Sequence, residues 1–401
     1  MIKKALYTVL IAAVASCGTT RNSAKGATVE GDSDNKATSS ISAAETESSF
    51  WGNLLAEACR EMEQENICLS PLSAQFAMAM VANGAEGNTK KEILDVMQLG
   101  NDANRHCREL LDNLETEFCE VKIANSIWIN EKLDVKQEFV ETNKKYFDAL
   151  VERATFDDST VERVNDWCNE NTNGKIPTII ERLSNSDRML LINALYFKAA
   201  WSKPFREENT TNQPFTTESG VKIEVPTMMM RTNASYYKDD VLAMTTKSLQ
   251  DGYSMLLVLP NEGVGCDEAA EYLAKDFNSY LKSMEVCDLT LSLPKFTTDF
   301  GTSLKPILEK LGIKRAFNSK AQFGGISDEA LYISDVVQKT YINVNEKGTE
   351  AAAVTAVQVG LLSMRAQKIE LLTLDRPFIY AIINYDNEVL FTGKVGNPTI
   401  K

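Results

Sequence analysis

Histidine is almost missing from this chain. The sequence of 401 residues holds one, His106, inside the charged run Asn104-Arg105-His106-Cys107-Arg108. A Ser–His–Asp or Cys–His arrangement would have to use it. Its run reads as an exposed helix surface, and Ser70 and Ser363 lie far away in sequence, so a catalytic His106 is not expected. Metal sites lose their commonest ligand for the same reason. No cysteine pair has C-x-x-C spacing, which leaves zinc and thioredoxin-like chemistry little support. The G-x-x-x-x-G-K-[ST] phosphate loop, the dinucleotide glycine run and the G-x-S-x-G elbow are absent as well. Neither enzymatic activity nor a cofactor or metal is expected.

Positive charge is also in deficit. Lys and Arg number 42 against 56 Asp and Glu, a net charge of -14 that argues against nucleic acid and anionic membrane surfaces as partners. Solubility is the plain consequence. Hydrophobic residues at 44% and charged residues at 24% are ordinary for a globular chain. The stretch 50–401 is long for one core. No Pro/Gly/Ser-rich linker interrupts residues 50–340, so one large domain is expected.

The beginning of the chain reads differently. Lys3 and Lys4 precede an apolar stretch, Ala5 to Ala15, that is too short to span a bilayer and reads as an export signal over residues 1–17. It ends in Val14-Ala15-Ser16-Cys17, which resembles the lipobox of bacterial lipoproteins. That resemblance implies a lipid on Cys17 and a chain anchored in the bacterial cell envelope, at the outer membrane or the cell surface. An ordinary cleaved signal is the alternative. Residues 18–48 carry almost no large apolar side chain and read as a disordered tether. Beyond Cys17, seven cysteines remain. An odd number leaves at least one free thiol, and most are expected to be buried as small apolar side chains.

Structured chain is expected from residue 49 onward. Helices are expected at Trp51–Glu63, at Ser70–Ala82 with Ser70 as its cap, at Lys90–Met97, and at Ser303–Leu311 with Gly312 as the stop. Strands are expected at Ile123–Asn130, Met189–Phe197, Tyr253–Pro260, Leu289–Phe296 and Leu331–Val344. Helices dominate the first half and strands the second, which fits an α+β fold. The stretch 343–377 stands apart. From Thr349, steps of two give Thr, Ala, Ala, Thr, Val and Val, a strand period with one apolar face. Its alanines equally suit a helix or coil. Leu361 to Lys368 then offers Leu, Met, Arg and Lys in a row, side chains that proteases recognise.

NVNEKGTEAAAVTA at 343–356 resembles the loop hinge of the serpins, serine protease inhibitors that trap proteases by loop insertion. The likeness extends to NICLSPLSAQFAMAMVANGAEGNTKKEI (66–93), VNDWCNENTNGKIPTII (164–180), NALYFKAAWSKPF (193–205), VPTMMM (225–230), LPKF (293–296) and the closing RPFIYAII and VLFTGKVGNP segments. It covers roughly residues 50–401. It implies a single serpin-like domain at 49–401. That domain would have a large central β-sheet, smaller sheets, eight or nine helices and an exposed reactive loop at about 346–372.

The resemblance also implies a function and its residues. A target endopeptidase would attack the loop, form an acyl-enzyme covalent complex and be trapped as the loop enters the sheet. The hinge would comprise Glu346, Gly348, Thr349, Glu350, Ala351, Ala352 and Ala353. Small side chains can enter a sheet over a filled core, where a charge or proline would stall. A cluster at Ser70, Ser73, Asn193 and Gln338 would govern sheet opening. The family usually has a histidine at the place of Gln338, and an amide donates and accepts without titrating. Counting from Gly348 places the reactive bond at Leu362–Ser363. Counting back from Arg376-Pro377 places it nearer Arg365–Ala366. Met364 and Lys368 complete the set, and a loop serving several bonds would make a broad inhibitor of serine and some cysteine proteases. The partners implied are target endopeptidases and the membrane at Cys17, with the protein a monomer. A non-inhibitory binding module is the alternative.

Overall fold

Two kinds of strand sequence build this protein. Met189–Ala200 is apolar at almost every position and is buried on both faces. Asp335–Asn345 alternates, and its even-numbered residues are buried while its odd-numbered ones are half-buried. The computed structural model describes residues 48–184, 186–349 and 368–400. These residues lie in one compact unit.

The two strands lie in a mixed six-stranded sheet. Its order is Phe296–Ser303, Asp335–Asn345, Gly348–Thr349, Met189–Ala200, Cys119–Asn130 and Leu150–Ala154. A second sheet of nine strands runs from Asn66–Leu69 through Val389–Val395 and Phe378–Ile383 to the edge strand Ile369–Thr373. Nine α-helices accompany them among the described residues. The α+β class read from the sequence is therefore the observed one.

The helix Pro71–Ala82 touches strands of both sheets and is buried along all but one of its residues. Its Ala, Ser and Met side chains are small or adaptable enough to fit between layers. Ser70 caps it, its hydroxyl accepting from the Ser73 amide at 3.1 Å. Boundaries shift where backbone geometry intervenes. The helix expected at Lys90 starts at Gly87, whose φ of +49° opens it. The strand expected at Leu331 starts at Asp335. The strand expected across Leu289–Phe296 is two strands, Glu285–Pro294 and Phe296–Ser303, which separate at Lys295.

Candidate functional site

The site is the seam between Met189–Ala200 and Asp335–Asn345. Along its lower part the strands pair directly and in parallel, from Asp335 opposite Leu190 to Tyr341 opposite Tyr196. Gln338 stands opposite Asn193. The Gln338 amide bonds Ser70 in both directions. Its Oε1 accepts from the Ser70 N–H at 2.8 Å, and its Nε2 donates to the Ser70 carbonyl at 2.9 Å. Asn193 Nδ2 donates to Asn125 Oδ1 at 2.8 Å. Ser70, Ser73, Asn125, Asn193 and Gln338 are all buried. The structure thus gathers the four residues expected to govern opening and adds Asn125. An amide inside the buried strand expected at Ile123–Asn130 was the signal that could have found it.

At the upper end the two strands part and Gly348–Thr349 lies between them. Gly348 pairs with Ala200 and Thr349 with Ala199 on one side. On the other side they pair with Asn345 and Val344. A β-carbon at Gly348 would sit 2.2 Å from the Ala199 carbonyl oxygen and 2.7 Å from Ala200 Cα, so only glycine fits. Thr349 is fully buried, and its hydroxyl accepts from the Ala199 N–H at 3.0 Å.

The turn that carries this pair is clamped. The Trp201 amide donates to the Lys347 carbonyl, its indole N–H to the Asn345 carbonyl, and the Phe205 amide to the Glu346 carbonyl, each at 2.9 Å. Glu346 is largely buried, faces Lys295 at 3.0 Å and accepts from the Thr210 hydroxyl at 2.9 Å. Burial pushes its carboxyl up, but the bonds from Lys295, its own amide and Thr210 outweigh that and hold it below the ordinary carboxylate range. Thr210 and the two aromatic residues escaped sequence reasoning.

Glu350, Ala351, Ala352 and Ala353 lie outside the described residues, as do Leu362, Ser363, Met364, Arg365 and Ala366. So does Cys17, with residues 1–47. Lys368 is described. Its carbonyl accepts from the Asp288 amide at 2.9 Å and its ammonium meets Glu370 at 2.6 Å. The bond after Lys368 is therefore held against the sheet edge. His106 is exposed on the helix Ala103–Leu114. Of the seven cysteines past Cys17, all are free and all but Cys59 are buried. Among the described residues no group of three or more His, Cys, Asp or Glu side chains could hold a metal ion, and no helix is long and apolar enough to cross a membrane.

A family model described as serpin, serine protease inhibitor, matches residues 45–398. A serine protease inhibitor of Cyanea capillata is 31% identical, over 87% of this chain and 96% of its own length. The native-state crystal structure of a thermophilic serpin, tengpin, superposes with a TM-score of 0.80 at 31% identity, covering 88% of this chain and 93% of that one. Human thyroxine-binding globulin superposes at 0.79 with 25% identity, covering 88% and 98%.

Proposed function

The chain belongs to the serpin family, and from that membership we propose that it is a suicide inhibitor of serine endopeptidases, not an enzyme. Sheet augmentation by a cleaved loop is general serpin behaviour rather than something read from this chain. What supports the reading here is the Gly348–Thr349 pair already seated between the two strands. Its register can be continued. With 348 opposite 200 and 349 opposite 199, residue 355 falls opposite Asn193 and residue 359 opposite Met189, the first residue of that strand. On the other side residue 355 falls opposite Gln338.

In the inserted strand, alternation would put Ala351, Ala353, Thr355, Val357 and Val359 on the buried face with Thr349. All are small or β-branched, and none is charged. Thr355 would arrive inside the polar cluster, where a hydroxyl can pair and a methyl can pack. Insertion in this register would fill the strand Met189–Ala200 from 348 to 359. Leu362–Ser363 then lies three residues past the strand end, roughly 10 Å of slack, and Arg365–Ala366 six residues past, roughly 20 Å. Shorter slack pulls harder on a trapped enzyme. Leu362 is therefore the preferred reactive residue, suiting apolar-pocket proteases of elastase, chymotrypsin or subtilisin type. Arg365 is second, for trypsin-like enzymes, and Lys368 last.

Cys17 carries a lipid, residues 18–48 tether the domain, and a monomer works at the cell envelope on external or envelope proteases. The test is incubation with pancreatic elastase and, separately, trypsin, followed by a denaturing gel and mass spectrometry. A complex that survives denaturation, with a released peptide starting at Ser363 or Ala366, is the expected result. Clean cleavage without a complex overturns trapping and favours a binding module, the reading to which the likeness to thyroxine-binding globulin lends weight.

A further inference from the structure

In a chain with an excess of acid, one cavity sets two lysines in a lining without any. A recess of about 270 Å³ lies beside the clamp that holds residues 345–347. Its lining includes Lys203, Lys247, Ser202, Thr232 and Thr246, and no Asp or Glu. Lys247 is 7% exposed. Its ammonium donates to the Lys203 carbonyl at 2.7 Å and lies 4.9 and 4.6 Å from the ring centres of Trp201 and Phe205. Lys203 reaches only the Thr232 hydroxyl, at 3.4 Å. Neither lysine has a carboxylate partner among the described residues.

Two adjacent cations without an acid are costly. Burial, then repulsion from Lys203, pulls the Lys247 ammonium down to about 7. Aromatic faces compensate a buried ammonium only in part. An ammonium has three donors, and one is used. The remaining lining is rich in hydroxyls, the donors that ring an anion. The recess is smaller than pockets that bury a drug-sized molecule, so its ligand is a small ion with some of its water.

We propose that this recess binds a small free oxyanion of the phosphate or sulfate class between Lys203 and Lys247. Binding there tightens the grip on the hinge. The coupling follows from shared residues. Lys247 stacks on Trp201 and Phe205, and the amides of those two residues donate to the hinge carbonyls. An anion that fixes Lys247 fixes the platform that holds Glu346 and Lys347.

The test uses inorganic phosphate at constant ionic strength, with chloride as the replaced salt. Titration calorimetry of the full chain should give saturable binding. Lys203→Met should weaken it about tenfold, the loss of one charge-assisted contact. Lys247→Met, which keeps the stem, should abolish it. Hydrogen exchange at the Trp201 and Phe205 amides should slow with phosphate in the unaltered protein. If Lys247→Met fails to fold, Lys203→Met at its exposed position decides the matter. No saturable binding, or the same affinity in Lys203→Met, overturns the site. Bound phosphate with unchanged exchange at those two amides overturns the coupling.

Discussion

The lower and upper ends of one seam are built on opposite rules. Below, Asp335–Tyr341 lies directly against Leu190–Tyr196, and Gln338 ties that strand to the turn at Ser70 by a reciprocal pair of bonds. Above, the same two strands have parted around Gly348–Thr349, and the turn behind that pair is held by Trp201, Phe205, Thr210 and Lys295. The lower end is closed by a few specific polar bonds in an otherwise apolar layer. The upper end is open around the Gly348–Thr349 pair, and a clamp holds the turn behind it. A sheet that is to accept a new strand needs both: a lock that yields and a strand end already in register.

The largest effect should come from loading the upper end. Thr349→Arg buries an unpaired charge at a fully buried position and should cut stable complex formation by at least about a hundredfold. The loop should then be cleaved as a plain substrate, which a denaturing gel distinguishes. A normal complex would mean that the seated pair has no part in insertion.

Loosening the lower end comes next. Gln338→Ala leaves the buried N–H and carbonyl of Ser70 without that partner and should cost about 2 kcal/mol in native-state stability, seen as a lowered thermal midpoint. An unchanged midpoint would break the contrast between a locked end and an open one.

The clamp should cost less. Glu346→Gln removes the charge facing Lys295 and should cost roughly 1 kcal/mol near neutral pH, because Lys295 is partly solvated. The pH dependence has a definite sign. Folding holds the Glu346 carboxyl below its ordinary range. Its contribution is therefore present above the unfolded pKa and is lost as pH falls through the lower folded value. Stability curves of the unaltered protein and Glu346→Gln should differ at neutral pH and converge below the ordinary carboxylate range. Parallel curves down to the acid limb would remove the ion pair from the account.

The smallest effect concerns titration at the lock. Gln338 does not ionise, so inhibition rates should vary little between pH 6 and 7, whereas Gln338→His should introduce a change of about twofold across that interval. Equal pH dependence in the two proteins would show that sheet opening does not pass through this position.

The residues that were legible share one property: their reasons are local. Ser70 before Pro71 announces a helix cap, and the structure has it. Gly348–Thr349 is a two-residue strand, and the rest of the period-two stretch from Thr349 lies outside the described residues. Apolar Met189–Phe197 announces a buried strand, and it runs three residues further. What stayed hidden depends on pairs far apart in sequence. Asn125 meets Asn193, Thr210 meets Glu346, and Trp201 meets Asn345. No local period carries such pairings, because each is decided by the register of segments far apart in sequence. The break at Lys295 was hidden for the same reason. Its side chain serves Glu346, at a distance of 51 positions along the chain.

The close fit of Gly348 against Ala199 and Ala200 has a further consequence, which concerns phase. A strand has a period of two, so its first seated pair sets the parity of every residue behind it. Here Thr349 opposite Ala199 fixes odd numbers as inward. A strand continued in that phase would carry Glu350 and Gln358 on its outward face. One residue added between Asn345 and Thr349 would invert that assignment and turn Glu350 toward the core, with no change to the composition of the loop. The short turn is thus a reading frame, and the clamp around it guards the frame as much as the stability.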